Sequence, residues 1–143
     1  MDTASKDSLN IDVIEQFIYE LLQTPERAKE CFDKYGVDAI MIGRGSIGRP
    51  WIFQEIKCYL QTKEKLEKKE FEFYLNILKE QIEKNIEMLD EVRGIHHSRR
   101  HLATTPILKG LDNFKQTRIK ILRSETKQEL YEILDGIKDQ YKL

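Results

Sequence analysis

The chain has 143 residues, with 24 Lys/Arg against 25 Asp/Glu and a net charge of −1. A chain this long forms one or two compact units whose core buries roughly two thirds of the unfolded surface, and 40% hydrophobic with 34% charged residues suits helices with solvated outer faces. No apolar run approaches the ~18 residues of a membrane span and no basic-then-apolar leader marks a secretory signal, so the composition points to a cytoplasmic protein without a membrane partner.

Residues 1–23 are a leader in which Ile11, Ile14, Ile18 and Leu21 or Leu22 recur at helical spacing, with Val13 and Phe17 widening the stripe. This predicts one amphipathic helix, suited to covering apolar surface or to pairing two copies of the chain. Thr24 then reads as an N-cap, Pro25 as the first helical residue and Gly36 as the stop. Ala28, Cys31 or Phe32, and Tyr35 make the buried side of that helix.

Val37 to Ile42 is apolar apart from Asp38, short and rich in branched residues. It suits a strand buried on both faces. A lone parallel strand leaves backbone groups unpaired, so a helical form or pairing with a second molecule stands as an alternative. Gly43, Gly45 and Gly48 follow, flanked by Arg44 and Arg49, and Pro50 can open a helix. Strand, glycine turn and helix N-terminus together gather free N–H groups as a phosphate requires; a purely structural turn is the competing reading. The GxGxxG at Gly43 to Gly48 lacks the following acidic strand of a dinucleotide-binding unit, because the chain continues into the lysine- and glutamate-rich QTKEKLEKKEFEF.

Pro50 to Leu60 is a predicted helix with Trp51, Ile52, Phe53, Ile56 and Tyr59 or Leu60 as its apolar set, and Gln61 to Glu70 is a charged linker. Beyond it Phe71, Tyr74 or Leu75, Leu78, Ile82, Ile86, Leu89 and Val92 repeat every three or four residues, enough for about six turns. Gly94 is placed to break that helix, with a second starting near Ser98 and ending before Pro106. A third runs from Leu111 or Asp112 to Arg123. Thr126 and Glu129 form a capping box ahead of a last helix striped by Leu130, Leu134 and Ile137. Four helices on short loops suggest a small bundle.

Charge is distributed unevenly. Between Arg93 and Arg123 eight Lys/Arg face one acid, Asp112, a balance of +7 that leaves −8 for the rest of a chain whose net charge is −1. His96, His97 and His101 lie in the same stretch. Unmixed positive charge of this kind points to an anionic partner such as a phosphate backbone. Zinc is disfavoured, since Cys31 and Cys58 are remote from HHSRRH and adjacent histidines are poor ligand geometry. The two cysteines read as isolated thiols.

TPERAKECFDKYGVDAIMIGRGSIGRPWIFQEI, followed by GIHHSRRHLATTPILKGLDNFKQTRIKILR, resembles the C-terminal part of bacterial tRNA-dihydrouridine synthases, from about Thr24 to the end of the chain. The resemblance implies an FMN-binding β/α barrel followed by a helical domain, the two gripping tRNA. In that family FMN reduced by NADPH passes hydride to a uridine while a barrel cysteine supplies the proton. The implied fold here is mainly α: 24–62 as the remnant of the last β/α unit of a TIM barrel, and 63–143 as a helical tRNA-binding bundle. The resemblance assigns the backbone of Gly43 and Arg44 to the FMN phosphate, as a vestige. It makes Arg93, His97, Arg99, Arg100, His101, Lys109, Lys115 and Arg118 the candidate tRNA contacts.

The match is incomplete. A barrel needs eight strands and typically about 250 residues, and the family's Asn-Cys-Gly-Cys-Pro-like string has no counterpart. The expectation is therefore a C-terminal fragment that binds tRNA but neither holds FMN nor catalyses alone. The alternative is a helical interaction module that self-associates through its leader; a third is a flavoenzyme whose barrel comes from another chain.

Overall fold

The computed structural model describes residues 24–141, and the leader 1–23 with its expected helix lies outside them. The described residues are mainly α-helical, as expected. Among the described residues seven helices run in chain order: α1 (Pro25–Tyr35), α2 (Ile52–Thr62), α3 (Phe71–Leu89), α4 (Glu91–Thr104), α5 (Pro106–Lys109), α6 (Phe114–Arg123) and α7 (Lys127–Tyr141), with one 3₁₀ turn at Arg44–Ser46.

Local signals set the ends of α1. The Thr24 hydroxyl accepts from the Arg27 amide, Pro25 occupies the first turn, and Gly36 closes the helix at φ 59°. Ala28 and Cys31 are buried, and Ala28 meets Ile52 and Ile56 of α2. Val37 to Ile42 forms no strand; it is irregular. No strand lies beside it among the described residues, so a ladder there has no partner. Ile40 and Ile42 pack instead on Ala28, Ile52 and Ile56, while Met41 points out at 82% exposure. α2 starts two residues later than expected and ends at Lys63 in a left-handed conformation, φ 63°.

The bundle is formed by α3, α4, α6 and α7. Tyr74, Leu75, Leu78 and Ile82 of α3 meet Ile95 and Leu102 of α4, Ile121 of α6, and Leu130, Leu134 and Ile137 of α7. Trp51 belongs to this core and not to the small α1–α2 cluster: its ring lies 4.7 Å from that of Tyr74. The pairs Lys127–Glu83 at 2.6 Å and Lys138–Glu72 at 2.9 Å tie α3 to α7 on the outside. Such exposed pairs add little each. The expected capping box forms in modified shape. Thr126 Oγ1 accepts from the Glu129 amide at 3.2 Å, and the Glu129 carboxylate accepts from Glu125 N–H at 2.7 Å.

The break between the first two bundle helices falls at Asp90, not at Gly94. Asp90 adopts φ 123°, and its carboxylate accepts from the Arg93 amide at 2.9 Å, starting α4 seven residues before the expected Ser98. Gly94 sits inside α4, where a Cβ would come within 2.6 Å of Ile86 Cα. Its absence of a side chain lets the backbones of α3 and α4 approach closely, a use of glycine that periodicity does not reveal.

Candidate nucleic-acid interface

On α4, His96, Arg99 or Arg100, and Ala103 or Thr104 recur at three- and four-residue spacing and so share one face. Across from them stand Arg118 and Leu122 of α6. Together they line a groove of about 340 Å³. A second groove, about 520 Å³, adjoins it and shares Ala103, Thr104 and Arg118; Lys109, Asn113, Phe114 and Lys115 continue it. The two form one basic trough between α4 and α6.

Five expected contacts, Arg99, Arg100, Lys109, Lys115 and Arg118, thus come together although they are spread over 20 positions of sequence. No ion pair among the described residues involves any of the five. Their charge is available to an outside anion. Arg99 is half-buried, with its Nε enclosed and lacking an acceptor among the described residues; its buried stem holds the guanidinium at the groove wall. Thr104 contributes no free hydroxyl hydrogen, because its Oγ1 donates within α4 to the Arg100 carbonyl at 2.8 Å. The last turns of α4, where Arg99 and Arg100 sit, also favour positive charge through the helix dipole.

Three expected contacts lie elsewhere. Arg93, at the start of α4, is held by Asp90 at 2.6 Å and by the Leu89 carbonyl at 2.7 Å. His97 is exposed but lines neither groove. His101 faces away from the trough and is half-buried: its Nδ1 lies 3.2 Å from Gly48 N and 3.1 Å from Gln81 Nε2. Burial pushes its pKa below the ordinary histidine value, and the neighbouring Arg100 and His97 push the same way. Conversely, His96, Asn113 and Phe114 line the trough without having been singled out as contacts. The helical spacing of His96 to Arg99 and Arg100 was a usable signal; Asn113 and Phe114 carried none.

The glycine turn has its own internal order. Ser46, Ile47 and Arg49 amides donate to the carbonyls of Gly43, Arg44 and Ser46 at 3.0–3.2 Å, and Ser46 Oγ donates to Gly43 O at 2.7 Å. The Gly48 amide is directed to His101. Open space surrounds Gly43, where a Cβ would meet nothing within 4 Å, and Arg44 is exposed. These residues fit one side of a phosphate, with the amides of residues 46 to 49 already engaged. Arg49 pairs with Glu55 and so fastens the turn to α2.

Cys31 is buried, which pushes its thiol pKa up, and Cys58 Sγ contacts only Thr62 Oγ1 at 3.8 Å among the described residues. The described residues hold no group of three or more His, Cys, Asp or Glu side chains able to bind a metal, and no helix long and apolar enough to cross a membrane.

The structure is thus a helical bundle with a basic trough, against which a two-helix unit rests through its glycine turn. Residues 20–141 match the family described as dihydrouridine synthase; the chain belongs to this family. It is 34% identical over 119 residues to tRNA-dihydrouridine synthase B of Shewanella oneidensis, covering 83% of this chain and 36% of that protein. It is 38% identical over 89 residues to tRNA-dihydrouridine synthase B of Pseudomonas aeruginosa, covering 59% and 27% respectively. A probable tRNA-dihydrouridine synthase of Rickettsia bellii is 33% identical over 76 residues, 53% of this chain and 23% of the relative. The chain thus spans about a third or less of the length of these relatives.

Proposed function

We propose that this chain is the tRNA-gripping portion of a tRNA-dihydrouridine synthase, acting in the cytoplasm, and that the trough between α4 and α6 is where it meets the RNA backbone. The observation that carries this reading is the convergence of Arg99, Arg100, Lys109, Lys115 and Arg118 on adjoining grooves with no internal ion pair among the described residues. Lys and Arg set this way hold phosphates, and such contacts position an RNA without reading its sequence. The uridine to be reduced is therefore not chosen here.

The α1–α2 unit and its glycine turn represent, in this reading, residues 24–62 of a flavin-binding barrel, with 63–143 as the helical domain. Support comes from the open backbone at Gly43 and from an apolar groove on the α1–α2 face. Phe32, Ile40, Ile42, Phe53, Ile56 and Leu60 line it, and Phe53 is half exposed. That face suits packing against the remainder of a barrel. Gly43 and Arg44 would hold the FMN phosphate from one side. FMN, reduced by NADPH, would supply the hydride for the uridine; the described residues contribute binding and position. Because amides 46 to 49 are engaged, the chain alone does not retain FMN and so does not catalyse in this reading.

Salt-dependent tRNA binding tests the proposal. Five phosphate contacts give a slope of log Kobs against log salt of about −3.5 to −4.5, at roughly 0.7–0.9 per contact. Replacing Lys115 and Arg118 together by Ala should flatten the slope by about 2, whereas Arg93→Ala, already tied to Asp90, should leave it unchanged. A slope near zero, or one indifferent to the double substitution, overturns the assignment.

A further inference from the structure

Two donors converge on one histidine nitrogen. Gly48 N and Gln81 Nε2 lie 3.2 and 3.1 Å from His101 Nδ1. A backbone amide can only donate, so Nδ1 must accept and carry no hydrogen. This fixes the neutral ring with its proton on Nε2 and sets the orientation of the Gln81 amide, neither of which heavy-atom positions alone determine.

The surroundings make this contact specific. Gly48 adopts φ 73°, and a Cβ there would lie 2.6 Å from His101 O and 2.7 Å from Thr105 N. The turn therefore rests backbone to backbone on the end of α4, three residues before Trp51 enters the bundle core. Gln81 reaches the same nitrogen from α3. One imidazole joins three parts of the chain.

We propose that His101 is a positioning residue: as the neutral Nε2-protonated ring it latches the glycine turn onto α4 and α3. The latch holds the register between the turn and the helix that walls the basic trough. Its functional consequence rests on the proposed roles of Gly43, Arg44 and the trough, but the latch itself does not, and its test needs neither flavin nor RNA. Protonation of Nδ1 replaces the acceptor by a donor and releases Gly48. The charged or titratable groups acting on the ring are Arg100 and His97, both on its own helix; α3 presents the uncharged Gln81, and the turn presents backbone. Burial first, and then both neighbours, disfavour the protonated ring, so the latch is closed near neutral pH. With the folded pKa lowered below the ordinary histidine value of 6.5, the contribution is complete above 6.5 and is lost as pH falls through the folded value.

Imidazole ¹⁵N shifts and amide protection factors on the full chain test this. At pH 7.5 Nδ1 should be the unprotonated nitrogen and the Gly48 amide protected. On acidification below 6.5 Gly48 protection should fall about threefold to tenfold, the worth of one hydrogen bond, while Ile82 and Leu134 amides keep theirs. His101→Asn, whose Oδ1 can accept in place of Nδ1, should retain Gly48 protection and lose its pH dependence; His101→Phe should lose the protection outright. A proton on Nδ1 at pH 7.5, Gly48 protection unchanged in His101→Phe, or equal losses at Ile82 and Leu134 would each overturn the latch.

Discussion

Gly94→Ala puts the close crossing of α3 and α4 to a direct test. The new Cβ would lie 2.6 Å from Ile86 Cα, 2.7 Å from Ile86 N and 2.8 Å from Asn85 C, all backbone atoms that cannot swing aside. Carbon pairs are comfortable at about 3.5–4.0 Å, so the helices must part by roughly 1 Å, and a gap of that size forfeits up to about half of each dispersion contact across the seam. Leu78, Ile82, Ile95 and Leu102 line that seam, and the Asn85–Ser98 hydrogen bond at 3.1 Å crosses it. Overpacking typically costs about 1–3 kcal/mol, and immovable backbone on both sides places this case at the upper end. Alanine returns about 1 kcal/mol through helix propensity. The net loss is about 2 kcal/mol, or a fall of roughly 8 °C in Tm for a chain of this size. Thermal melts of the full chain followed by circular dichroism at 222 nm read this out. Gly136→Ala is the control: it lies in α7 with nothing within 4 Å of its would-be Cβ, and should gain about 1 kcal/mol. If Gly94→Ala matches that gain, Gly94 is a weak point of one helix and the close approach has been misread.

Two further substitutions probe the joints of the chain. Trp51→Ala removes a ring that is 6% exposed and packed at a tilt of 52° against Tyr74; a loss of about 3–5 kcal/mol is expected, with faster proteolysis in the irregular stretch at 63–70, and an unchanged Tm would mean the α1–α2 unit is not anchored in the bundle. At Asp90, Ala loses the cap and must still adopt φ 123°, whereas Gly loses only the cap. Asp90→Ala should therefore be less stable in urea than Asp90→Gly by about 1 kcal/mol or more, and the reverse order would remove strain from the account of this break.

Helix existence was legible in the residues because caps and stripes act between positions one to four apart. Thr24, Pro25 and Gly36 around α1, the Leu78–Ile82 stripe of α3 and the Thr126–Glu129 pair before α7 all operate at that range. The trough was half legible: the excess of Lys and Arg between Arg93 and Arg123 is visible in one dimension, and which of them share a wall is not. Arg93 and Arg100 stand two helical turns apart on α4, yet only Arg100 meets α6, while Arg93 is claimed by Asp90 at its own helix start.

Membership of the dihydrouridine synthase family, a mainly helical fold and a concentrated positive charge thus follow from the amino-acid sequence by itself, since motif, periodicity and net charge are properties of neighbours along the chain. Tertiary structure decided the rest. Whether Val37 to Ile42 forms a strand depends on a neighbouring strand; whether Gly94 breaks a helix depends on how near Ile86 comes; whether His101 faces an outside anion depends on where Gly48 and Gln81 lie. Each is settled by a partner far away in sequence or absent beside it, and an unpaired amide, a missing Cβ and a shared imidazole nitrogen acquire meaning only when that partner is in place.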